Sequence, residues 1–309
     1  MKTPSPFVSS EPLVVENLSK LFGKRTALRD VSFEIPAGRV VGLLGRNGAG
    51  KTTLLDLACG LLLPTAGEIR TLGCAARELE SAQLNRLGVV RQEPRFLDWM
   101  TVRQQLEFTA SFYPYWDHGL EKRLTEMLEL DGARRIVQLS QGDQQKLSIL
   151  LGVCHRPSLL LMDEPMSALD PIIRARMLDV LLERLRDDGC TVLVSSHLLA
   201  DVEKIIDWVV CLDAGELAVS ASFDELQESY AEWTLHSATG TLPETFSETC
   251  VLSHEGTTKL ARMRVCAADT ASEAERFASM YRAEVKSRAL SLDEMFPLLL
   301  KRRERRAKS

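Results

Sequence analysis

Gly45-Arg46-Asn47-Gly48-Ala49-Gly50-Lys51-Thr52-Thr53 follow the spacing G-x-x-x-x-G-K-[ST], and the chemistry of that spacing lies in the backbone. Glycines at 45, 48 and 50 let the chain curl so that successive N–H groups face one concavity. A helix beginning at Lys51 adds roughly half a positive charge at its N-terminus. A polyphosphate is the natural guest. Lys51 would reach its β- and γ-phosphates, Thr52 would offer a hydroxyl to Mg²⁺, and Thr53 would donate to the α-phosphate.

A second set of groups fits the same guest. Ser158-Leu159-Leu160-Leu161-Met162-Asp163-Glu164-Pro165 delivers two carboxylates at the end of an apolar strand. In an open parallel sheet, that edge is where ligands bind. Asp163 is suited to hold Mg²⁺ through its waters, and Glu164 to polarise an attacking water. His197 ends another apolar run, Thr191 to Ser195, at the same edge and is able to donate to a terminal phosphate. Gln92 leaves a short strand, Leu87 to Gln92, as either a water- or Mg²⁺-touching amide or an ordinary strand-end polar group. Phe22, just before Gly23, is either an aromatic face for a base or a core residue. Ser140 and Asp143 form a capping-box spacing ahead of Leu147 to Cys154, and with Gly142 they make a second helix N-terminus suited to an anion.

The elements that must position these groups follow from periodicity. Val40 to Leu44 reads as a buried parallel strand feeding the loop, and Thr52 to Ala58 as the helix behind it. Leu13 to Asn17 and Val31 to Ile35 alternate like antiparallel strands. From Phe96 to Trp116 aromatics crowd together, Thr101 with Gln104 caps a helix running to about Phe112, and Leu120 to Leu128 mark one face of another. The clustered aromatics serve either as this helical insertion's own core or as a docking surface. Arg174 to Leu185 is amphipathic, and Trp208 to Leu212 is a further strand. After Val219, short strands at 233–235, 251–252, 260–266 and 285–290 alternate with helices at 272–281 and from Ser291 onward. Lys301 to Lys308 is a basic run, either a solvated helix end or an attraction to an anionic leaflet.

Composition bounds the rest. The 309 residues are 45% hydrophobic and 26% charged, enough for a large globular domain and a small one. A net charge of -5 argues against nucleic acid as a bulk partner. The apolar stretch Leu147 to Cys154 is far shorter than the roughly 20 residues that span a bilayer. Met1 to Pro12 carries no signal-peptide pattern. Seven cysteines without a C-x-x-C pair are expected to be reduced core thiols of a cytosolic protein.

In this order the motifs resemble those of the nucleotide-binding subunit of an ATP-binding cassette (ABC) transporter, over roughly Leu13 to Val219. The resemblance implies an α/β fold of the P-loop NTPase class, with a mixed sheet core, an antiparallel β subdomain and a helical insertion, followed by a small C-terminal α+β domain. The implied organisation is a flexible segment 1–12, a nucleotide-binding domain 13–220 with its helical subdomain at about 95–157, the small domain 221–300 and a basic tail 301–309. Phe22 then matches the adenine-stacking aromatic, Gln92 the amide coupling the site to the membrane subunit, and Leu139 to Asp143 the signature. Asp163 and Glu164 match the magnesium-holding and catalytic acids, Ser167 to Asp170 the dimer-facing loop, and His197 the switch histidine. The signature departs from L-S-G-G-Q, with Gln141 for the first Gly and Asp143 for the final Gln, and Met166 stands where a Thr is usual.

The resemblance further implies ATP with Mg²⁺, turnover of ATP, and pairing with a second copy or a homologous ATPase subunit. Each signature would close over the partner's phosphate loop. A separate integral membrane permease would receive the motion, more in the manner of export than import, with the chain peripheral on the cytoplasmic face. The alternative class is an ABC ATPase without a permease, acting on a macromolecule.

Overall fold

The computed structural model describes residues 11–238, 240 and 242–306. The expected N-terminal segment up to residue 10 and the side chains of the basic run at 301–309 lie outside that description. The chain divides at Ser220/Ala221 into two compact units.

The first unit is built on β1 (Leu13–Phe22), β2 (Arg25–Ile35), β3 (Val40–Leu44), α1 (Lys51–Ala58), β4 (Ala66–Thr71), β5 (Cys74–Ala75), α2 (Ser81–Leu84) and β6 (Leu87–Val90). It continues through α3 (Val102–Ala110), α4 (His118–Met127), α5 (Gln141–Val153), β7 (Leu159–Asp163), α6 (Pro171–Asp188), β8 (Thr191–Ser195), α7 (Leu199–Val202), β9 (Trp208–Asp213) and β10 (Glu216–Ser222), whose last two residues pass the division. One sheet has the order β2-β1-β4-β5, and the six-stranded core sheet β10-β9-β3-β8-β7-β6. Strands β3, β7 and β8 are buried at every position, the pattern of parallel strands covered on both faces. Their parallel register sets Leu43 and Asp163 each opposite Ser195, so their carboxyl ends meet at one edge.

The first hairpin is longer than strand alternation predicts. β1 shows register shifts after Val15 and Leu18, and Asn17 sits at φ 48°, so the inward face changes partway and the period of two is lost. Strand β6 stops at Val90, and Gln92 lies beyond it as an exposed residue rather than on the strand.

The helical insertion is α3, α4 and α5. Thr101 caps α3 with both halves of the expected box: its Oγ1 accepts from Gln104 N at 3.2 Å, and Gln104 Oε1 accepts from Thr101 N at 2.9 Å. Its aromatics divide. Trp116 is buried and Tyr113 stacks on His155 at 4.1 Å, whereas Trp99, Phe108, Phe112 and Tyr115 stand exposed.

The second unit carries α8 (Phe223–Ser229), β11 (Tyr230–His236), β12 (Val251–Gly256), β13 (Leu260–Cys266), α9 (Thr270–Tyr281), β14 (Glu284–Ala289) and α10 (Leu292–Arg306). Its antiparallel sheet has the order β12-β13-β11-β14. Alternate residues Ala231, Trp233 and Leu235 point into a core with Phe277, whose ring meets Trp233 edge-on at 5.1 Å. Helix α10 runs on through the basic residues to Arg306, as the helix-end alternative for that run expects. Ser291 and Glu294 make its reciprocal cap. The Arg288 guanidinium, bonding both oxygens of Glu294, holds that carboxyl down to about 2.

Candidate functional site: a phosphate cleft at the sheet edge

Where β3 gives way to α1, a cleft of about 570 Å³ opens, lined by Arg46, Asn47, Gly48, Gly50, Lys51, Thr52 and Thr53. The loop folds this way because its glycines permit it. At Gly50, the residue before α1, φ is 105°, and a Cβ would stand 2.6 Å from Leu28 Cδ2 and 2.8 Å from Ala27 O. Any side chain would both strain the turn and push it off β2. The free N–H groups of the first helical turn then face the cleft with the positive end of the helix dipole.

Lys51 is buried, at 7% exposure, and its ammonium is anchored rather than free. It donates to Gly45 O at 2.8 Å and lies 3.8 Å from Glu164 Oε1. The opposite wall comes from the carboxyl ends of β7 and β8, which bring Asp163, Glu164 and His197 into the same cleft with Gln92. Glu164, buried in the cleft's lining, adopts φ 47°, a left-handed backbone for a non-glycine residue. Its Oε2 accepts from His197 N at 3.1 Å and sits 2.6 Å from His197 Nδ1, within hydrogen-bond distance of the ring. Glu164 thus has a cation on one oxygen and two donors on the other.

The residue that joins the two acids is Ser195, which carries no motif and which sequence reasoning passed over. Its hydroxyl donates to Asp163 Oδ1 at 2.7 Å and accepts from Glu164 N at 2.9 Å. The available signal was the polar end of a five-residue apolar strand matching β7 in length. Ser195→Ala leaves a buried N–H and a buried carboxylate each one partner short. Supporting-shell losses of this kind run at about 10- to 100-fold in activity. We expect maximal turnover of a bound phosphate substrate to fall within that range while its affinity changes less than threefold, as read by steady-state kinetics beside a binding titration.

Phe22, Arg25 and Ala27 also line the cleft. Phe22 is 47% exposed, which removes the core alternative, and Lys20 Nζ stands 5.0 Å from its ring centroid. Arg25, paired with Phe22 across the hairpin turn, also lines the cleft and was not foreseen.

Ser140, Gly142 and Asp170 are not among the cleft's lining residues. Ser140 is the exposed residue before α5. A Cβ on Gly142 would meet Ala168 O at 2.9 Å, so the signature backbone packs closely on the loop that ends in Asp170. Asp170 accepts from Ile172 N and Ile173 N, both at 3.0 Å, and the Ile173 and Ile172 N–H groups hold its carboxyl below the usual carboxylate range. The Ser140–Asp143 pair is only half a capping box. Ser140 Oγ accepts from Asp143 N, but the Asp143 carboxylate takes the Ser140 hydroxyl rather than its backbone N–H.

A resident metal cage is absent among the described residues, where no three His, Cys, Asp or Glu side chains converge. The oxygen donors Thr52, Asp163 and Gln92 nonetheless suit Mg²⁺, which is usually held by one or two carboxylates together with substrate phosphates. These residues fit it.

The comparisons with known proteins agree with this geometry. A family model described as ABC transporter matches residues 28–167. The chain is 36% identical over 223 residues to an uncharacterized ABC transporter ATP-binding protein, YxlF of Bacillus subtilis, covering 70% of this chain and 72% of that one. It is 32% identical to the bacitracin transport ATP-binding protein BcrA of Enterococcus faecalis, covering 71% and 72%. Among solved structures, the dimeric ATP-binding cassette MJ0796 in a post-hydrolysis state bound to ADP and Pi superposes with a TM-score of 0.60 at 25% identity, covering 68% of this chain and 98% of that one. A phosphate loop facing an Asp-Glu pair and a histidine across one sheet edge, in a chain this close to such relatives, belongs to the ATP-binding subunits of the ABC transporter family.

Proposed function

We propose that two copies of this chain, or one copy and a homologous subunit, close head to tail on Mg²⁺-ATP and drive a separate membrane-spanning permease in the export direction. The observation that carries this reading is that Ser140, Gly142 and Asp170 do not line the chain's own phosphate cleft, while Ser140 stands exposed at the start of α5. Two helix N-termini, at Lys51 and at Ser140, then neutralise one triphosphate from opposite sides. Hydrolysis and phosphate release remove the charge that holds the halves together.

In that closed state, Lys51 exchanges Gly45 O and Glu164 for the β- and γ-phosphate oxygens. Glu164, oriented by His197 and by the Ser195 bond to its N–H, accepts the proton of the attacking water. His197 presents a ring N–H to the terminal phosphate, Phe22 covers the adenine, and Arg46, Asn47, Ala49 and the glycines supply loop N–H groups. Thr52, Asp163 and Gln92 would hold Mg²⁺, which when bound would supply positive charge to the phosphates. The assigned domain limits, 13–220 for this machinery and 221 onward for a supporting appendage, belong to the same proposal.

The permease seat we assign is a second, more apolar groove of about 480 Å³, lined by Leu61, Leu84, Val89, Phe96, Tyr113 and Leu151. Arg91 and Pro94, on either side of Gln92, also line it, so one short segment borders both nucleotide and groove. No described helix is long and apolar enough to cross a membrane, and in this reading a separate spanning subunit supplies the pathway. The placement is peripheral, on the cytoplasmic face. Kinship with ATP-binding proteins named for bacitracin transport and for linearmycin resistance supports the export direction.

The test is mild-detergent isolation of the tagged chain from membranes. We expect a polytopic protein in about equal amount to co-purify, and Phe96→Glu to release it without lowering ATP binding. Recovery wholly from the soluble fraction, with a nucleic acid or ribosome as the companion, overturns the transport assignment in favour of a permease-free ATPase.

A further inference from the structure

The departure of the signature from its usual final glutamine has a physical consequence at Ser140. A hydroxyl owns one hydrogen, and Ser140 spends it on Asp143 Oδ2 at 2.9 Å while its oxygen accepts from Asp143 N at 3.1 Å. The carboxylate is held in place from two more sides. Lys146 Nζ donates to Oδ1 at 3.1 Å, and Arg134 Nη1 stands 3.5 Å from Oδ2 while its other nitrogen donates to Gln138 O at 2.6 Å. Burial pushes the Asp143 carboxyl up, but the bonds from Ser140 and Lys146 and the charges of Lys146 and Arg134 outweigh it and hold the group below the usual range.

The same chain shows what a glutamine does at this position. At α3, Gln104 reaches back to the backbone N–H of Thr101, and Thr101 Oγ1 accepts from Gln104 N, so the threonine hydrogen is not consumed by the box. Aspartate is one methylene shorter. Asp143 takes the hydroxyl instead of the backbone N–H.

We propose that Asp143 is a positioning residue that latches the Ser140 hydroxyl onto its own chain, so that ATP-driven closure must first break this bond. The inference rests on the head-to-tail reading, in which Ser140 donates to the partner's terminal phosphate. A bond to an ionised acceptor is about twice as strong as a neutral one. The latch therefore raises the ATP concentration needed for dimerisation rather than changing the hydrolytic step. Arg134 and Lys146 keep the extra carboxylate from repelling the triphosphate.

The test uses the full-length chain carrying Glu164→Gln, with Mg²⁺-ATP titrated during sedimentation velocity. Asp143→Gln should lower the ATP concentration for half-dimerisation about fivefold, and Asp143→Asn, neutral but short, by a smaller factor. In a Ser140→Ala background the Asp143→Gln shift should vanish, an outcome that a general effect on helix stability does not produce. A shift that persists without Ser140, or no shift with Ser140 present, overturns the latch. If Ser140→Ala dimerises at the parent's ATP concentration, or no variant dimerises, the head-to-tail reading fails first and the latch fails with it.

Discussion

Glu164→Gln should bind Mg²⁺-ATP at least as tightly as the parent, hold it in a stable dimer, and turn it over about 10²- to 10⁴-fold more slowly, the range a positioned general base contributes. The amide keeps the shape of the side chain and one oxygen to receive the His197 N–H groups that now bond Oε2. What it lacks is the charge. Without that charge Lys51, 3.8 Å away, loses an intramolecular competitor for phosphate oxygens, so binding is not expected to weaken. Nor can the amide accept a proton from water. Single-turnover phosphate release and the elution volume with Mg²⁺-ATP read the two halves of the prediction separately. Turnover within about threefold of the parent would take the base role away from Glu164, whatever happened to the dimer.

The legible parts of this site are those whose chemistry is local. Residues 45–53 declare themselves because a phosphate cradle is made of consecutive backbone N–H groups, and Asp163-Glu164 because a strand of apolar residues can end only at a sheet edge. The order of the core sheet, which sets Asp163 opposite Ser195, is a tertiary fact. Nothing within Thr191 to Ser195 announces it, and Ser195 therefore went unseen. The first hairpin was underestimated for a related reason. Asn17 at φ 48° and the register shifts around it move apolar residues from odd to even positions, and an alternation count stops there although the ladder continues to Phe22. Asp143 illustrates a third limit. Its spacing from Ser140 is that of a capping box, but a side chain one methylene short chooses the hydroxyl over the N–H, and Arg134 arrives from outside the motif. Spacing identified the helix start and misjudged which hydrogen is bound.

Lys51→Ala should weaken ATP binding by about 30-fold or more, which at roughly 1.4 kcal/mol per tenfold is the lower end of what truncating one member of a buried charge pair costs. Two effects add. The first is the lost attraction between the ammonium of a buried lysine and the β- and γ-phosphates, in a cleft where screening is weak. The second is specific to the arrangement of this site: Lys51 is the cation nearest Glu164 Oε1, so its removal leaves an uncompensated carboxylate facing a triphosphate. That second effect predicts non-additivity. In Lys51→Ala with Glu164→Gln the repulsion is gone, and affinity should recover by several-fold relative to Lys51→Ala alone, while turnover stays at the level of Glu164→Gln. Equilibrium titration of a fluorescent ATP analogue against the parent, the two single variants and the double variant measures this directly. Strict additivity would mean that Lys51 and Glu164 do not share the electrostatic site their geometry describes. An affinity loss below threefold for Lys51→Ala would mean that the loop N–H groups alone hold the phosphates, with the lysine serving chiefly to brace Gly45.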